Sequence, residues 1–185
     1  INMKHLGICM AGNEEDFFAH IDQSYSEPFV YFEIGIASGE TLFAVDDHLK
    51  DKERTLYGVD VPSSTTIGRE NVTVLRIGSD TFFDQIKLKA NFILIDACHG
   101  HPCVTRDFLG AEQHIKPGGI ICFHDADEEC QGKHPQHCGG RGIDVRQALK
   151  DLGLLDNTRE GWILLKETTG DKNRGGNGCA FFKKL

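Results

Sequence analysis

Side chains that could bind a metal ion or move a proton cluster between residues 91 and 127. An apolar segment ends at Asp96, a loop with His99 follows, and a second apolar segment runs into His124 and Asp125. Imidazoles and carboxylates ligate divalent ions and act as general acids and bases. Because ligands of open α/β sheets bind beyond the carboxyl ends of parallel strands, this spacing predicts one half of an active site.

The rest of the chain supplies the elements that would position these groups. Apolar runs predict strands at 29–36, 55–61, 72–77, 92–95, 120–123, 162–167 and 179–183, with helices at 13–25, 40–50 and 144–155. Strands that alternate with helices predict an α/β, Rossmann-like, doubly wound and mainly parallel seven-stranded sheet. No helix separates the last two strands, so the last strand is expected to be antiparallel. We expect one domain over 1–185, with a short helical segment at 1–28 and the core at 29–185.

A glycine-containing loop follows the first predicted strand, in the sequence EIGIASG. Small residues at a strand-to-helix turn let a ligand approach the backbone. Asp60 ends the second strand, where an acid can accept hydrogen bonds from ribose hydroxyls. Glu33 precedes the glycines, and its carboxylate would repel a pyrophosphate but attract an amino group. This combination indicates an adenosine-containing ligand.

Composition bounds the classes of partner. The formal net charge of −8 argues against a nucleic-acid-binding surface. No apolar run reaches the length of a membrane span, and no signal-peptide pattern opens the chain, which predicts a cytoplasmic protein that does not bind membranes.

The seven cysteines are irregularly spaced. An odd number without a secretory signal favours a reducing compartment. Four cysteines in or beside apolar segments are expected to be small buried hydrophobes: Cys9, Cys98, Cys122 and Cys179. The segment from Cys130 to Cys138 could bind zinc, form a disulfide or be a polar loop.

The glycine loop, Glu33 and the closing antiparallel strand together resemble the class I S-adenosylmethionine-dependent methyltransferases. The resemblance implies that Glu33 and the glycines bracket the methionine part, that Asp60 holds the ribose, and that the loop after strand three lies by the adenine. The implied cofactor-binding residues are Glu33, Gly35, Ala37, Gly39, Asp60, Val61, Gly78, Ser79, Asp80 and Asp96.

The segment around strands four and five is similar to the macrocin O-methyltransferase and cephalosporin-biosynthesis group, methyltransferase family 24. The matching residues are Asp96, His99, Asp107, Lys116-Pro117-Gly118-Gly119 and His124-Asp125, and the departures are Ala97, Cys98 and His101. In related metal-dependent enzymes the corresponding positions hold a divalent ion. The resemblance therefore implies Asp96, His124 and Asp125 as ligands of Mg2+ or Mn2+.

Several roles stay open. His99 is either a catalytic base, with Asp96 as the second catalytic candidate, or a residue that orients Asp96. His124 is a ligand or supports one, and Asp127 could replace it. His101 is expected to be solvated or to face substrate, and Asp107 to be structural.

The leading prediction is O-methylation of a hydroxylated small molecule, of sugar or natural-product type, with S-adenosylmethionine as cofactor and a divalent metal as an optional aid. The alternatives are an NAD(P)-binding oxidoreductase and a non-catalytic nucleoside- or metal-binding module. The expected partner is the small-molecule acceptor, and a homodimer is a further option.

Overall fold

The computed structural model describes residues 10–61, 69–132, 142–171, 173 and 177–185. Its strands are β1 (Phe29–Ile34), β2 (Arg54–Val59), β3 (Val72–Leu75), β4 (Ala90–Ile95), β5 (Ile115–His124), β6 (Trp162–Glu167) and β7 (Cys179–Lys184). Its helices are α1 (Glu14–Gln23), α2 (Glu40–His48), α3 (Ser79–Gln85), α4 (His101–His114) and α5 (Val145–Asp151).

All seven strands form one sheet in the order β3-β2-β1-β4-β5-β7-β6. β1 pairs in parallel with both β2 and β4, whereas β7 is antiparallel to β5 and β6. The predicted doubly wound sheet with an antiparallel last strand is confirmed. The strand order reverses between β1 and β4, and a ligand cleft is expected at that point.

Apolar residues cover both faces of the sheet. Helices α1 and α2 pack on one face, and α3, α4 and α5 pack on the other. Every residue of β1 and β4 is buried, as expected of central parallel strands. The central strands therefore hold their carboxyl ends in fixed positions. Among the described residues, no helix is long and apolar enough to cross a membrane.

Two local features differ from the sequence prediction. Helix α3 was not predicted, because its seven residues are too few for a clear helical periodicity. β5 begins at Ile115, and the Lys-Pro-Gly-Gly segment forms an irregularity where the β4–β5 register shifts. Asn13 occupies the N-cap position of α1 without a side-chain capping bond, and its side chain makes long-range hydrogen bonds instead.

Candidate active site

A cavity of about 350 Å³ lies at the carboxyl ends of β1 to β4, where the strand order reverses. It is lined by Ile34, Gly35, Ala37, Val59, Asp60, Val61, Ile77, Gly78, Ser79, Asp96, Ala97, Cys98, Arg106 and Asp107. Seven of the ten implied cofactor residues are in this wall, and the other three, Glu33, Gly39 and Asp80, are not. The cavity therefore brings together most of the residues predicted to bind cofactor.

Gly35 allows the end of β1 to lie against the end of β4. Its φ is +87°, and a Cβ atom there would collide with the carbonyl oxygen of Asp96 and with Cα of Ala97. This glycine is thus required by the contact between the two strand ends.

Asp60 connects the end of β2 to the glycine loop. Its Oδ2 accepts hydrogen bonds from the backbone N–H groups of Ile36 at 3.1 Å and Ala37 at 2.9 Å. Ala37 has a positive φ of 44°, so these bonds stabilise an unusual backbone conformation. Asp60 lines the cavity and also shapes the loop beside it.

Glu33 lies within the sheet, and only 2% of it is exposed. Its Oε2 accepts a hydrogen bond of 2.7 Å from the Tyr31 hydroxyl. Burial raises the pKa of Glu33 to about 8, although the Tyr31 bond acts in the opposite direction. The carboxyl group is therefore mostly protonated near pH 7, and its contact with a methionine amino group stays a prediction.

Helices α3 and α4 meet at the edge of the cavity through Ser79 and Asp107. The Ser79 hydroxyl donates a 2.5 Å hydrogen bond to Oδ1 of the buried Asp107. Burial raises the pKa of Asp107 despite this bond. Asp80 is exposed and accepts the backbone N–H of Thr81, so its side chain is used locally.

Four acidic and imidazole side chains form a second group beside the cavity. Nδ1 of His124 lies 3.0 Å from Oδ1 of Asp96 and 3.4 Å from Oδ1 of Asp125. Nε2 of His99 lies 2.9 Å from Oδ2 of Asp125 and 3.4 Å from Oδ1 of Asp96. We call Asp96, His99, His124 and Asp125 the acid–imidazole cluster. The structure thus brings these four predicted site residues together, while their roles stay predictions.

The cluster is internally charge-balanced. Burial opposes the charge on each histidine, but hydrogen bonds to Asp125 and Asp96 raise the pKa of His99 to about 10. The pKa of His124 is also raised, by the charge of Asp96 against the effect of burial. Burial is likewise outweighed at Asp96 and Asp125, whose pKa values are lowered by the imidazoles. The raised pKa of His99 therefore favours its protonated form in the ion-free cluster.

Polar residues outside the cluster fix the position of Asp125, which has a φ of 58°. Nδ2 of Asn177 donates to Oδ1 of Asp125 at 2.5 Å, and Nδ2 of Asn13 donates to the Asn177 carbonyl. Asp127 accepts the backbone N–H groups of Cys130 and Gly178. Asp127 therefore stabilises the loop after β5, and it does not belong to the group that could hold a metal.

The donor set fits a divalent ion. Asp96, His124 and Asp125 each offer one ligand atom, and these atoms lie within 4.8 Å of one another. Two carboxylates suit Mg2+ or Mn2+, and an imidazole suits Mn2+ better than Mg2+. The described residues thus contain a plausible ligand set at the predicted positions, while metal binding itself stays a prediction.

The cysteines differ from expectation in one respect. Cys98 is partly exposed and disulfide-bonded to Cys103, so its prediction as a buried hydrophobe is wrong. Cys122 and Cys179 are free and buried, as predicted. Cys9 and Cys138 lie outside the described residues, as do the histidines of the 130–138 segment. Cys130 is buried, and its thiol donates to the Asp125 carbonyl at 3.0 Å.

Sequence reasoning missed several wall residues. Arg106 lines the cavity beside Asp107, which was expected to be structural. Both lie in α4, and only the helical phase relative to the cavity would have identified them. The apolar wall residues Ile34, Val59 and Ile77 were predicted as strand residues without a role. His101 pairs with Asp151 at 2.9 Å on the surface, in keeping with its expected solvated position.

The strand order and the cavity at its reversal define the fold of a class I S-adenosylmethionine-dependent methyltransferase. The methyltransferase-domain family matches residues 32–126, about half of the chain, and the chain belongs to that family. It is accordingly a methyltransferase of the S-adenosylmethionine-dependent class. No curated protein matches the sequence.

Solved structures share the fold at low identity. A Klebsiella pneumoniae protein proposed to be an O-methyltransferase has a TM-score of 0.71 and 19% identity, over 94% of this chain and 80% of that one. MycE methyltransferase of the mycinamycin biosynthetic pathway, in complex with Mg and S-adenosylhomocysteine (SAH), has a TM-score of 0.64 and 16% identity. The match covers 92% of this chain but only 49% of MycE. A Clostridium thermocellum protein proposed to be an rRNA methylase has a TM-score of 0.68 and 11% identity, over 95% and 98% of the two chains.

Proposed function

We propose that the protein transfers the methyl group of S-adenosylmethionine to a hydroxyl oxygen of a small molecule, assisted by a divalent ion. One observation carries this proposal: Asp96 belongs both to the cavity wall and to the acid–imidazole cluster. A cofactor in the cavity would thus lie next to groups that can bind and deprotonate an acceptor.

The cavity residues suit the cofactor. Asp60 faces the cavity with a carboxylate that can accept hydrogen bonds from ribose hydroxyls. Gly78 and Ser79 lie beyond β3, where the adenine is expected, and the apolar side chains of Ile34, Val59 and Ile77 exclude water from the wall. The glycine loop brings the backbone close to the expected position of the methionine part.

The cluster residues suit acceptor activation. When bound, a divalent ion lowers the pKa of a hydroxyl that coordinates it. Asp96, His124 and Asp125 would hold that ion, with His124 and Asp125 buried and Asp96 partly exposed toward the cavity. His99 lies 2.9 Å from Asp125. With Asp96 and Asp125 engaged as ligands, the interactions that raise the pKa of His99 would weaken, so that the imidazole could release its proton to solvent and then take the acceptor proton. Positioning the acceptor oxygen beside the cavity would supply the remaining acceleration.

A small acceptor fits the electrostatics better than RNA. The net charge of −8 opposes a phosphate backbone, which needs clustered Lys and Arg side chains. The MycE structures contain Mg, SAH and, in one case, mycinamycin VI, so a related fold holds all three kinds of ligand. These features support a hydroxylated small molecule as the acceptor.

The test is SAH formation from S-adenosylmethionine with a panel of catechol and sugar acceptors, and with RNA as a further acceptor. Each reaction is run with Mg2+, with Mn2+ and with a chelator, using the wild type and Asp125→Asn. We expect metal-stimulated SAH formation with at least one acceptor and its loss in the variant. Wild-type rates that are the same with chelator as with metal, and that Asp125→Asn retains, would refute metal assistance. Turnover of RNA but of no small molecule would refute the acceptor class.

A further inference from the structure

The loop from β4 to α4 contains a disulfide that the family resemblance does not imply. Cys98 and Cys103 are five positions apart, and their Cα atoms are 5.7 Å apart, within the usual range for a disulfide. The bond joins the end of the loop to the first turn of α4, and the ring that it closes contains His99.

This ring connects both parts of the site. Cys98 lines the cavity next to Ala97, whereas His99 reaches Asp125 in the acid–imidazole cluster at 2.9 Å. The carbonyl oxygen of His99 also accepts the backbone N–H of Asp144 at 2.9 Å. The disulfide thus fixes the path of a short segment that forms cavity wall on one side and holds a cluster residue on the other.

The bond is also accessible. Cys98 and Cys103 are both partly exposed, whereas the free cysteines of the described residues, Cys122, Cys130 and Cys179, are buried. Thiol–disulfide exchange requires an attacking thiolate to reach one of the two sulfurs. Among the described cysteines, the Cys98–Cys103 pair is therefore the one that a soluble dithiol reaches most readily.

We propose that the Cys98–Cys103 disulfide is a redox-sensitive clamp that positions the cavity wall and His99, and that its reduction weakens cofactor binding. A dithiol reductant attacks one sulfur to form a mixed disulfide, and its second thiol then displaces the protein sulfur. Two electrons and two protons pass to Cys98 and Cys103, which become thiols, and the reductant becomes a disulfide. This proposal rests on the proposed function, because it assumes that the cofactor binds in the cavity.

Calorimetric titration with SAH tests the clamp on the oxidised and the dithiothreitol-reduced protein. Mass spectrometry of alkylated peptides verifies the state of Cys98 and Cys103, and hydrogen exchange follows residues 97–104. Reduction should leave the binding-competent conformation of residues 97–104 only partly populated. The affinity for SAH should then fall by about threefold to tenfold, and hydrogen exchange of these residues should become faster. Cys103→Ser should bind SAH like the reduced wild type and should not respond to dithiothreitol, and Cys103→Ala provides a second variant.

Three outcomes overturn the clamp. Equal SAH affinity before and after verified reduction means that the bond does not position the cavity, while the cofactor proposal survives. Free thiols at both positions in oxidised protein mean that the bond does not form. Absence of SAH binding in both states refutes the cavity itself, and the clamp with it.

Discussion

The two halves of the site are built in different ways. Around the cavity at the ends of β1 to β4, backbone groups and apolar side chains define the shape, and the carboxylate of Asp60 is held by two backbone N–H groups. Around Asp125, shape depends on side chains of opposite charge that lie within hydrogen-bonding distance of one another. The cavity should therefore tolerate the loss of one side chain, whereas the acid–imidazole cluster should not.

The halves meet where the end of β1 lies against the end of β4, and Gly35→Ala should break that junction. The new Cβ would collide with backbone atoms of Asp96 and Ala97 at a φ of +87°. We expect a loss of about 4 kcal/mol in the free energy of unfolding, measured by urea denaturation.

Gly118→Ala is the matched control, since Gly118 has a φ of +78° but no atom within 4 Å of its added Cβ. It should lower the free energy of unfolding by only about 1 kcal/mol, because the sole penalty is the positive φ of a residue with a Cβ atom. Equal losses in the two variants would mean that the strand junction is not tightly packed.

Asp125→Asn tests whether the cluster depends on charge balance. The amide cannot neutralise His99 and His124, and it is a poorer ligand for a hard cation. We expect the rate of SAH formation with Mn2+ to fall about a hundredfold and SAH affinity to change little. Asp151→Asn, which alters the exposed pair with His101, should leave both quantities unchanged. A small effect of Asp125→Asn on the rate of SAH formation would mean that the acid–imidazole cluster does not take part in methyl transfer.

Glu33 gives a pH test of the buried sheet beneath the cavity. Its pKa is raised to about 8 in the folded protein from an ordinary value of 4.5. As the pH rises, Glu33 therefore loses its proton at a lower pH in the unfolded chain than in the folded protein. Its contribution to the free energy of unfolding is fully present below pH 4.5 and is lost as the pH rises through 8. Between pH 6 and pH 8 the loss should be about 2 kcal/mol, and Glu33→Gln should remove this pH dependence. Parallel stability curves for the two proteins would contradict the raised pKa.

Asp60→Asn should weaken the cofactor half without destroying it. The amide retains an oxygen for the loop N–H groups but loses charge-assisted bonds, so SAH affinity should fall about tenfold in calorimetry. The free energy of unfolding should fall by about 1 kcal/mol. Asp80→Asn is the control, because Asp80 is outside the cavity wall, and it should bind SAH normally. A larger loss of SAH affinity in Asp80→Asn than in Asp60→Asn would mean that Asp80, and not Asp60, binds the cofactor.

Apolar runs were enough to predict the sheet, because central strands such as β1 and β4 are buried on both faces and leave an unmistakable pattern. The cluster was also predictable, since Asp96 directly follows β4, His124 ends β5 and Asp125 follows β5. Contacts between distant segments were not predictable. The Asn13–Asn177 bond joins residues 164 positions apart, and the cavity-facing side of α4, with Arg106, depends on how that helix packs.

The Cys98–Cys103 bond was missed for a related reason. A cysteine next to an apolar run has the same local sequence whether it is buried or bonded. The outcome depends on where α4 begins, because its first turn brings Cys103 close to Cys98.

Calorimetric titration of the chelator-treated protein with SAH, with NADH as the control ligand, tests the central claim most directly. The cavity at the ends of β1 to β4 predicts one SAH site, about tenfold weaker affinity in Asp60→Asn, and no binding of NADH. Binding of NADH without binding of SAH would contradict the assignment of this cavity to S-adenosylmethionine.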